Sequence, residues 1–270
     1  IALAHSLNFK RVIETVLRGD YERLQSQFVG YGEYSNTNIK ARPYDLQLAN
    51  TILDKSGWKQ RGGDGIRTKD GNRLSFILNY SQKAHSDRWS ILKLDAIKAG
   101  IEIKLKFLDP SSHFKAITQK QHQLVAMGWG AQQHPQFWGQ YHSANANKPD
   151  TNNITNIADS EMDKLITLFR KETEKSKRTQ LAKDIQEKVF DSATFIPGFN
   201  VPYTRGAHWR WLKLPEIPGS KTTGNLYSPF GDGGVFWIDN KQKIETKAAR
   251  KSRTKYPVVN KVFEQYKVNS

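Results

Sequence analysis

The chain has 270 residues, no cysteine, and 42 Lys plus Arg against 26 Asp plus Glu, a formal charge of +16. Without cysteine there is no disulfide framework, thiolate metal site, cysteine nucleophile or iron–sulfur cluster. An aromatic content of 11% excludes wholesale disorder, and no apolar run reaches the ~18 residues of a membrane-spanning helix.

Taken in chain order, Phe9, Val12, Ile13, Val16 and Leu17 share one helical face. They predict a helix over 7–18, stopped by Gly19. A loop rich in Gly, Tyr and Asn follows. Asp45 then caps a helix carrying Leu48, Ala49, Ile52 and Leu53, which stops at Ser56-Gly57. Residues 66–80 read as a β-hairpin around Asp70-Gly71, with Leu74, Phe76, Leu78 and Tyr80 at strand period. A helix with Trp89, Leu92, Ala96 and Ala99 ends at Gly100. Ile101, Ile103, Leu105 and Phe107 then alternate with Glu102, Lys104 and Lys106 as a strand. A short helix after Asp109-Pro110 leads to the apolar strand 124–129. Strands alternating with helices argue for an α/β sheet with helical crossovers.

Residues 130–157 lack periodicity, and a loop this long inside a domain carries function or is disordered. Its aromatic and His side chains argue for function. Two helices follow, one with Met162, Leu165, Ile166 and Phe169, the next with Leu181, Ile185 and Val189. Beyond Thr204 helical periodicity fades. The last thirty residues hold nine Lys/Arg against two Glu, a net of +7. There, Val258, Val259, Val262, Phe263 and Tyr266 make a helical stripe after Pro257.

Catalytic signatures are missing: there is no G-x-S-x-G elbow and no H-E-x-x-H. Gly219-Ser220-Lys221-Thr222 lacks the spacing of a phosphate loop, and Gly231 to Gly234 reads as turn chemistry. Asn79 and Asn153 sit in short glycosylation sequons. His113, His122, His134 and His142 cluster in sequence without the i, i+4 spacing or carboxylates of a zinc site, so they read as polar loop residues. A basic nucleic-acid-binding module is the alternative that the charge suggests. Against it, residues 129–142 hold aromatics but no Lys or Arg, whereas a phosphate-binding groove interleaves the two. Flat walls from Trp129, Trp138 and Tyr141, with neutral amides from Gln132 and Gln133, suit a small-molecule or peptide cleft instead.

Several segments, in order, resemble one family. Arg42-Pro43-Tyr44-Asp45 with Ala49, Ile52-Leu53 and Ser56-Gly57-Trp58 is similar to its Y-D-x-x-x-A-x-x-L-L-x-x-x-G-W helix. Ala99-Gly100-Ile101-Glu102-Ile103 is similar to its G-I-x-V strand, Met127-Gly128-Trp129-Gly130-Ala131 to its G-W-G-A loop, and Met162-Asp163-Lys164-Leu165-Ile166 to the D-x-L-I helix after it. The family is the extracellular solute-binding proteins of peptide ABC transporters, family 5. Tyr31-Gly32-Glu33-Tyr34 and Val201-Pro202-Tyr203 lean toward its YejA-like branch.

The resemblance implies a periplasmic or lipid-anchored monomer, not an enzyme, that closes two lobes over a peptide and docks on an inner-membrane permease. It implies no cofactor and no metal. Relatives are roughly twice this length, so the chain corresponds to their carboxyl-terminal portion. Residues 1–203 would form a periplasmic-binding-protein type II lobe, a mixed β-sheet flanked by helices. Residues 204–270 would be a return segment packing on the other lobe. Trp129, Gly130, Gln132, Gln133, His134, Trp138 and Tyr141 would line one cleft wall, with Asn200 and Tyr203 near the hinge. Many relatives carry an Asp just after the G-W-G-A motif, paired with the peptide ammonium. Gln132 stands there, so a free amino terminus is not expected to be the main anchor.

Overall fold

The computed structural model describes residues 1–130, 134–203, 205–216 and 236–264. The chain divides into two units, Ile1–Pro202 and Tyr203–Ser270. The first opens with α1 (Ala2–Ser6) and α2 (Phe9–Thr15). The periodicity predicts one helix there. Two form because Leu7 takes an extended backbone and the Asn8 side chain caps α2 by accepting from the Arg11 amide. After β1 (Glu22–Arg23), α3 (Leu46–Lys55) starts where Asp45 accepts from the Leu48 amide. Next come β2 (Gln60–Arg61), β3 (Arg67–Lys69), β4 (Asn72–Arg73), β5 (Ser75–Tyr80), α4 (Ser86–Lys98), β6 (Glu102–Phe107), α5 (Pro110–Thr118) and β7 (Leu124–Val125). Finally α6 (Trp138–Tyr141), α7 (Ser160–Lys171), α8 (Lys175–Asp191) and β8 (Phe199–Asn200) complete the unit.

The main sheet has the order β6-β5-β7, with both pairings parallel, and α4 and α5 make the crossovers. The expected hairpin over 66–80 needs correcting. Its turn is real: Asp70 and Gly71 both have positive φ between β3 and β4. The hairpin ends at Arg73, however, and from Ser75 the chain becomes the central strand of the parallel sheet. Alternation specifies which side chains go inward but not which strand is the partner. Here Phe76 and Leu78 pack against the core that holds Leu92 and Ala96 of α4 and Ile103 of β6. Strand directions are mixed over the chain rather than within the main sheet: β2-β3-β4 and β1-β8 are antiparallel. Among the described residues β6 is an edge, and its exposed Lys104 and Lys106 alternate with buried Ile103 and half-buried Leu105.

The unit has two cores. One joins α1–α4 to the sheet through Phe9, Val12, Leu53, Leu92 and Ile101. The other packs Met162, Ile166, Ile185 and Val189 of α7 and α8 against Phe28, Tyr34 and Phe137 from loops. Side chains such as Ile166 and Ile185, with no accessible surface, each contribute roughly 1.5–3 kcal/mol.

Buried polar groups tie loops to this frame. Gln186 donates to the Tyr34 carbonyl (2.6 Å) and accepts from the Asn36 amide (2.9 Å), pinning the 31–38 loop on α8. Arg67 donates to the Ala99 carbonyl (2.8 Å), Asn50 (2.7 Å), Asp54 (2.5 Å) and the Trp58 carbonyl, joining the hairpin to the ends of α3 and α4. Gly100 makes this approach possible. It ends α4 with φ +82°, and a Cβ there would sit 2.6 Å from Arg67 Cγ.

In the second unit, β9 (Leu212–Lys213) pairs antiparallel with β10 (Trp237–Ile238), and Asp239 caps α9 (Asn240–Ser252). The helix forms in the Lys-rich stretch rather than at the apolar stripe. Val258, Val259 and Val262 are instead at least 72% exposed in non-helical backbone. Pro257 lacks an amide proton, and no apolar surface in this unit covers the stripe among the described residues.

Candidate functional site

The three parallel strands end on the same edge of the main sheet. From the carboxyl end of β7, the Ala126 amide makes one more bond to the Asn79 carbonyl (2.9 Å), and the chain then leaves the sheet. Met127 and Trp129 are each 39% exposed, and a Cβ added at Gly128 or Gly130 would meet nothing within 4 Å. The segment is therefore an open aromatic loop, with its backbone free to approach a ligand. No Lys, Arg, Asp or Glu occurs between 121 and 147. Gln132 and Gln133 lie outside the described residues.

The loop returns through His134, which is exposed and edge-on to Tyr34 at 5.5 Å. Phe137 is its anchor, nearly fully buried and edge-on to Phe169 at 5.0 Å. Trp138 stays 37% exposed, with His142 at 3.7 Å and the Arg170 guanidinium at 4.3 Å from its ring. His142 Nδ1 accepts from the Ala144 amide (3.1 Å), which holds the imidazole in place. Arg170 was not legible as part of this site, because its place at the end of α7 carries no local signal; nor was Met127, whose exposure depends on the loop leaving the sheet.

Tyr141 has to be corrected as a cleft residue. Its ring has no accessible surface, and its hydroxyl donates to Gln27 Oε1 (2.6 Å). Burial raises its phenol well above the ordinary value, so it stays neutral. It is packing beneath the loop rather than wall, because α6 turns it toward Phe28 and Phe137. Asn200 is half-buried on β8, opposite Glu22. Tyr203 falls in the second unit, with the Arg205 guanidinium 4.4 Å from its ring.

Among the described residues, no group of three His, Asp or Glu is arranged to hold a metal ion. His113 is buried with Nε2 3.4 Å from the Asn79 carbonyl, and burial lowers the pKa of His122. Both sequon asparagines are buried, and Asn153 bonds both ways to Ile157, so neither offers its amide to a glycan in the folded chain. Residues 219–222 and 231–234 lie outside the described residues. No described helix is long and apolar enough to cross a membrane.

Residues 1–149 match the sequence model of the bacterial extracellular solute-binding proteins, family 5, middle region. The chain belongs to that family. The family 5 chain is 30% identical to protein XP55 of Streptomyces lividans over 210 residues, covering 75% of the chain and 37% of the relative. It is 24% identical to the oligopeptide-binding protein AppA of Bacillus subtilis, covering 72% and 36%. The structure of AppA in complex with a nonapeptide superposes with a TM-score of 0.71 at 23% identity, covering 88% of this chain and 46% of AppA. That of NikA from Brucella suis with Fe(III)-EDTA gives 0.62 at 25%, covering 74% and 41%. The chain thus spans less than half the length of these relatives, and it has their α/β fold. Nothing in these likenesses supports the nucleic-acid module.

Proposed function

We propose that this family 5 chain is part of the substrate-binding component of an ABC importer for oligopeptides or peptide-like ligands. The observation that carries this reading is the open, uncharged aromatic loop at the carboxyl end of β7. In open α/β sheets ligands bind outside the carboxyl ends of the strands, and a neutral aromatic wall suits a peptide backbone. The unit Ile1–Pro202 would be one lobe. The segment from Tyr203 onward would pack on the other, with Asn200 and Tyr203 at the crossing. Trp129, Gly130, Gln132, Gln133, His134 and Trp138 would form one wall. Closure over the ligand would shift an open–closed equilibrium, and the closed form would dock on the permease as a monomer in the periplasm or on a lipid anchor. The protein would bind and release without catalysis.

The test is thermal unfolding and calorimetry of the full-length protein against peptides of two to nine residues. Stabilisation by peptides is expected, and N-terminal acetylation of a bound peptide should cost little affinity. If no peptide raises the melting temperature at millimolar concentration, the reading fails. A large loss on acetylation would overturn the argument from Gln132.

A further inference from the structure

The second unit carries its cations and its uncovered apolar side chains on neighbouring stretches of chain. Between 241 and 255 stand seven Lys or Arg and one acid, Glu245, a net of +6. Glu245 is already used, since its carboxylate meets Arg210 at 3.1 Å. Thr246 and Ala249 are buried and seat α9. Lys241, Ile244, Lys247, Ala248 and Lys251 fall on the opposite face at helical spacing, and all are exposed. Among the described residues these three lysines meet no carboxylate. Arg253 ends the helix in a left-handed backbone (φ +59°), and the chain runs on to the exposed Val258, Val259 and Val262. Tyr256 stands between the two stretches, partly exposed, with the Arg210 guanidinium 4.0 Å from its ring centre.

Each half of this surface limits what can cover it. A lysine face closed off against another part of the chain without acids costs the desolvation of every ammonium, so α9 keeps that face at the surface. A second copy would bring like charges together and be repelled. A nucleic acid would take the charges but has no use for the valines, because its grooves set open flat rings among the cations for bases to stack on. Trp209 and Trp211 are instead stacked on each other, 4.8 Å apart and nearly parallel, which leaves no slot for a base between them. The interface of an anionic bilayer takes both halves. Cations sit at the lipid phosphates, apolar side chains enter the boundary of headgroups and acyl chains, and Tyr favours the level between.

We propose that residues 241–263 form a surface that docks on an anionic lipid bilayer, the lysine face of α9 against the headgroup phosphates and Val258, Val259 and Val262 entering the headgroup layer. The proposal goes beyond the peptide-binding reading and does not rest on it. Such docking lies on the membrane rather than across it, and salt loosens it, since the attraction reaches only about a Debye length, ~10 Å at 0.1 M.

The experiment is flotation of the full-length protein with vesicles of phosphatidylglycerol and phosphatidylethanolamine in equal parts, and with vesicles of phosphatidylcholine alone, each at low and high salt. The wild type is compared with the triple variant Lys247→Gln, Lys251→Gln, Lys255→Gln and with the double variant Val258→Ser, Val262→Ser. Glutamine keeps the helix propensity of lysine, so α9 persists in the triple variant. The wild type should bind the anionic vesicles and not the neutral ones. The triple variant should bind about a hundredfold more weakly, roughly fivefold for each charge removed. The double variant should lose about tenfold. A short DNA duplex should compete poorly. Equal binding to both vesicles, or equal binding by the wild type and the triple variant, overturns the proposal. So does a duplex that binds more tightly than the anionic vesicles through the same lysines while the valine changes have no effect. A double variant that melts well below the wild type and still binds vesicles as tightly would place the valines in the interior of the protein, and it too overturns the proposal. None of these results involves a peptide, so the peptide reading stands or falls separately.

Discussion

Replacing Gly100 by Ala tests whether the α4–β6 junction is as tight as its geometry says. Gly100 ends α4 in a left-handed turn, with its amide on the Ile97 carbonyl (2.8 Å) and the Ile101 amide on the Ala96 carbonyl (3.1 Å). At φ +82° an L-residue costs about 1–2 kcal/mol. The new methyl would also sit 2.6 Å from Arg67 Cγ and 2.7 Å from an Arg61 guanidinium nitrogen. Arg61 is exposed and can swing away. Arg67 is 3% exposed and held by four acceptors, so moving it costs a further ~1–3 kcal/mol. Gly71→Ala is the matched control: its φ is +74°, but nothing lies within 4 Å of the new Cβ. It should cost the backbone penalty alone. For a unit of this size each kcal/mol moves the melting temperature by roughly 2–4 °C. Gly100→Ala should therefore melt about 2–12 °C below Gly71→Ala, by circular dichroism. Equal melting temperatures for the two variants would show that Arg67 is not held as described.

Three further outcomes are expected. Gln186→Leu strands the Tyr34 carbonyl and the Asn36 amide, and should cost about 2–4 kcal/mol in urea unfolding; unchanged hydrogen exchange at the Asn36 amide would contradict the pinning role. The Arg73 hydrogen bond holds the Glu102 carboxyl down to about 2 from an ordinary 4.5. A lowered carboxylate pKa means the unfolded chain takes up the proton first. The stability is thus complete above pH 4.5 and is lost as pH falls toward 2. Arg73→Ala should flatten the acid limb of stability, and superimposable pH profiles would disprove the coupling. Trp129→Ala should weaken ligand binding by roughly tenfold, because its 39%-exposed ring stands on the open loop; retained affinity would remove Trp129 from the wall.

Helices with a clean apolar stripe were legible in the sequence, two of them, α3 and α7, also by an Asp cap. α3, α4, α7 and α8 carry Asp45, Gly100 and period-3.6 Leu, Ile and Phe, so local physics specifies them. The partner of a strand is not local, which is why Leu74–Tyr80 looked like the arm of a hairpin. α9 was hidden by its own composition: Lys and Arg have good helix propensity, but its apolar side chains are few, and Ile244 is 70% exposed. At the site, the aromatic loop and its neutrality were readable from residue types alone. The depth of each aromatic was not, since Trp138 and Tyr141 lie three residues apart on one helical turn and differ completely in burial. The pairing of Trp138 with Arg170 depends on the fold bringing α7 alongside.

The edge strand β6 has a consequence for how this protein behaves among copies of itself. Among the described residues its outer side has no pairing strand beside Ile103, Leu105 and the half-exposed Phe107, a pattern that invites strand-to-strand stacking between molecules. Lys104 and Lys106 stand between those residues. Two such edges brought to the ~4.8 Å spacing of paired strands would set lysine ammonium groups against one another. Lysines on this strand therefore oppose such edge-to-edge pairing by repulsion, and salt, which shortens the reach of that repulsion to about 10 Å at 0.1 M, weakens the opposition.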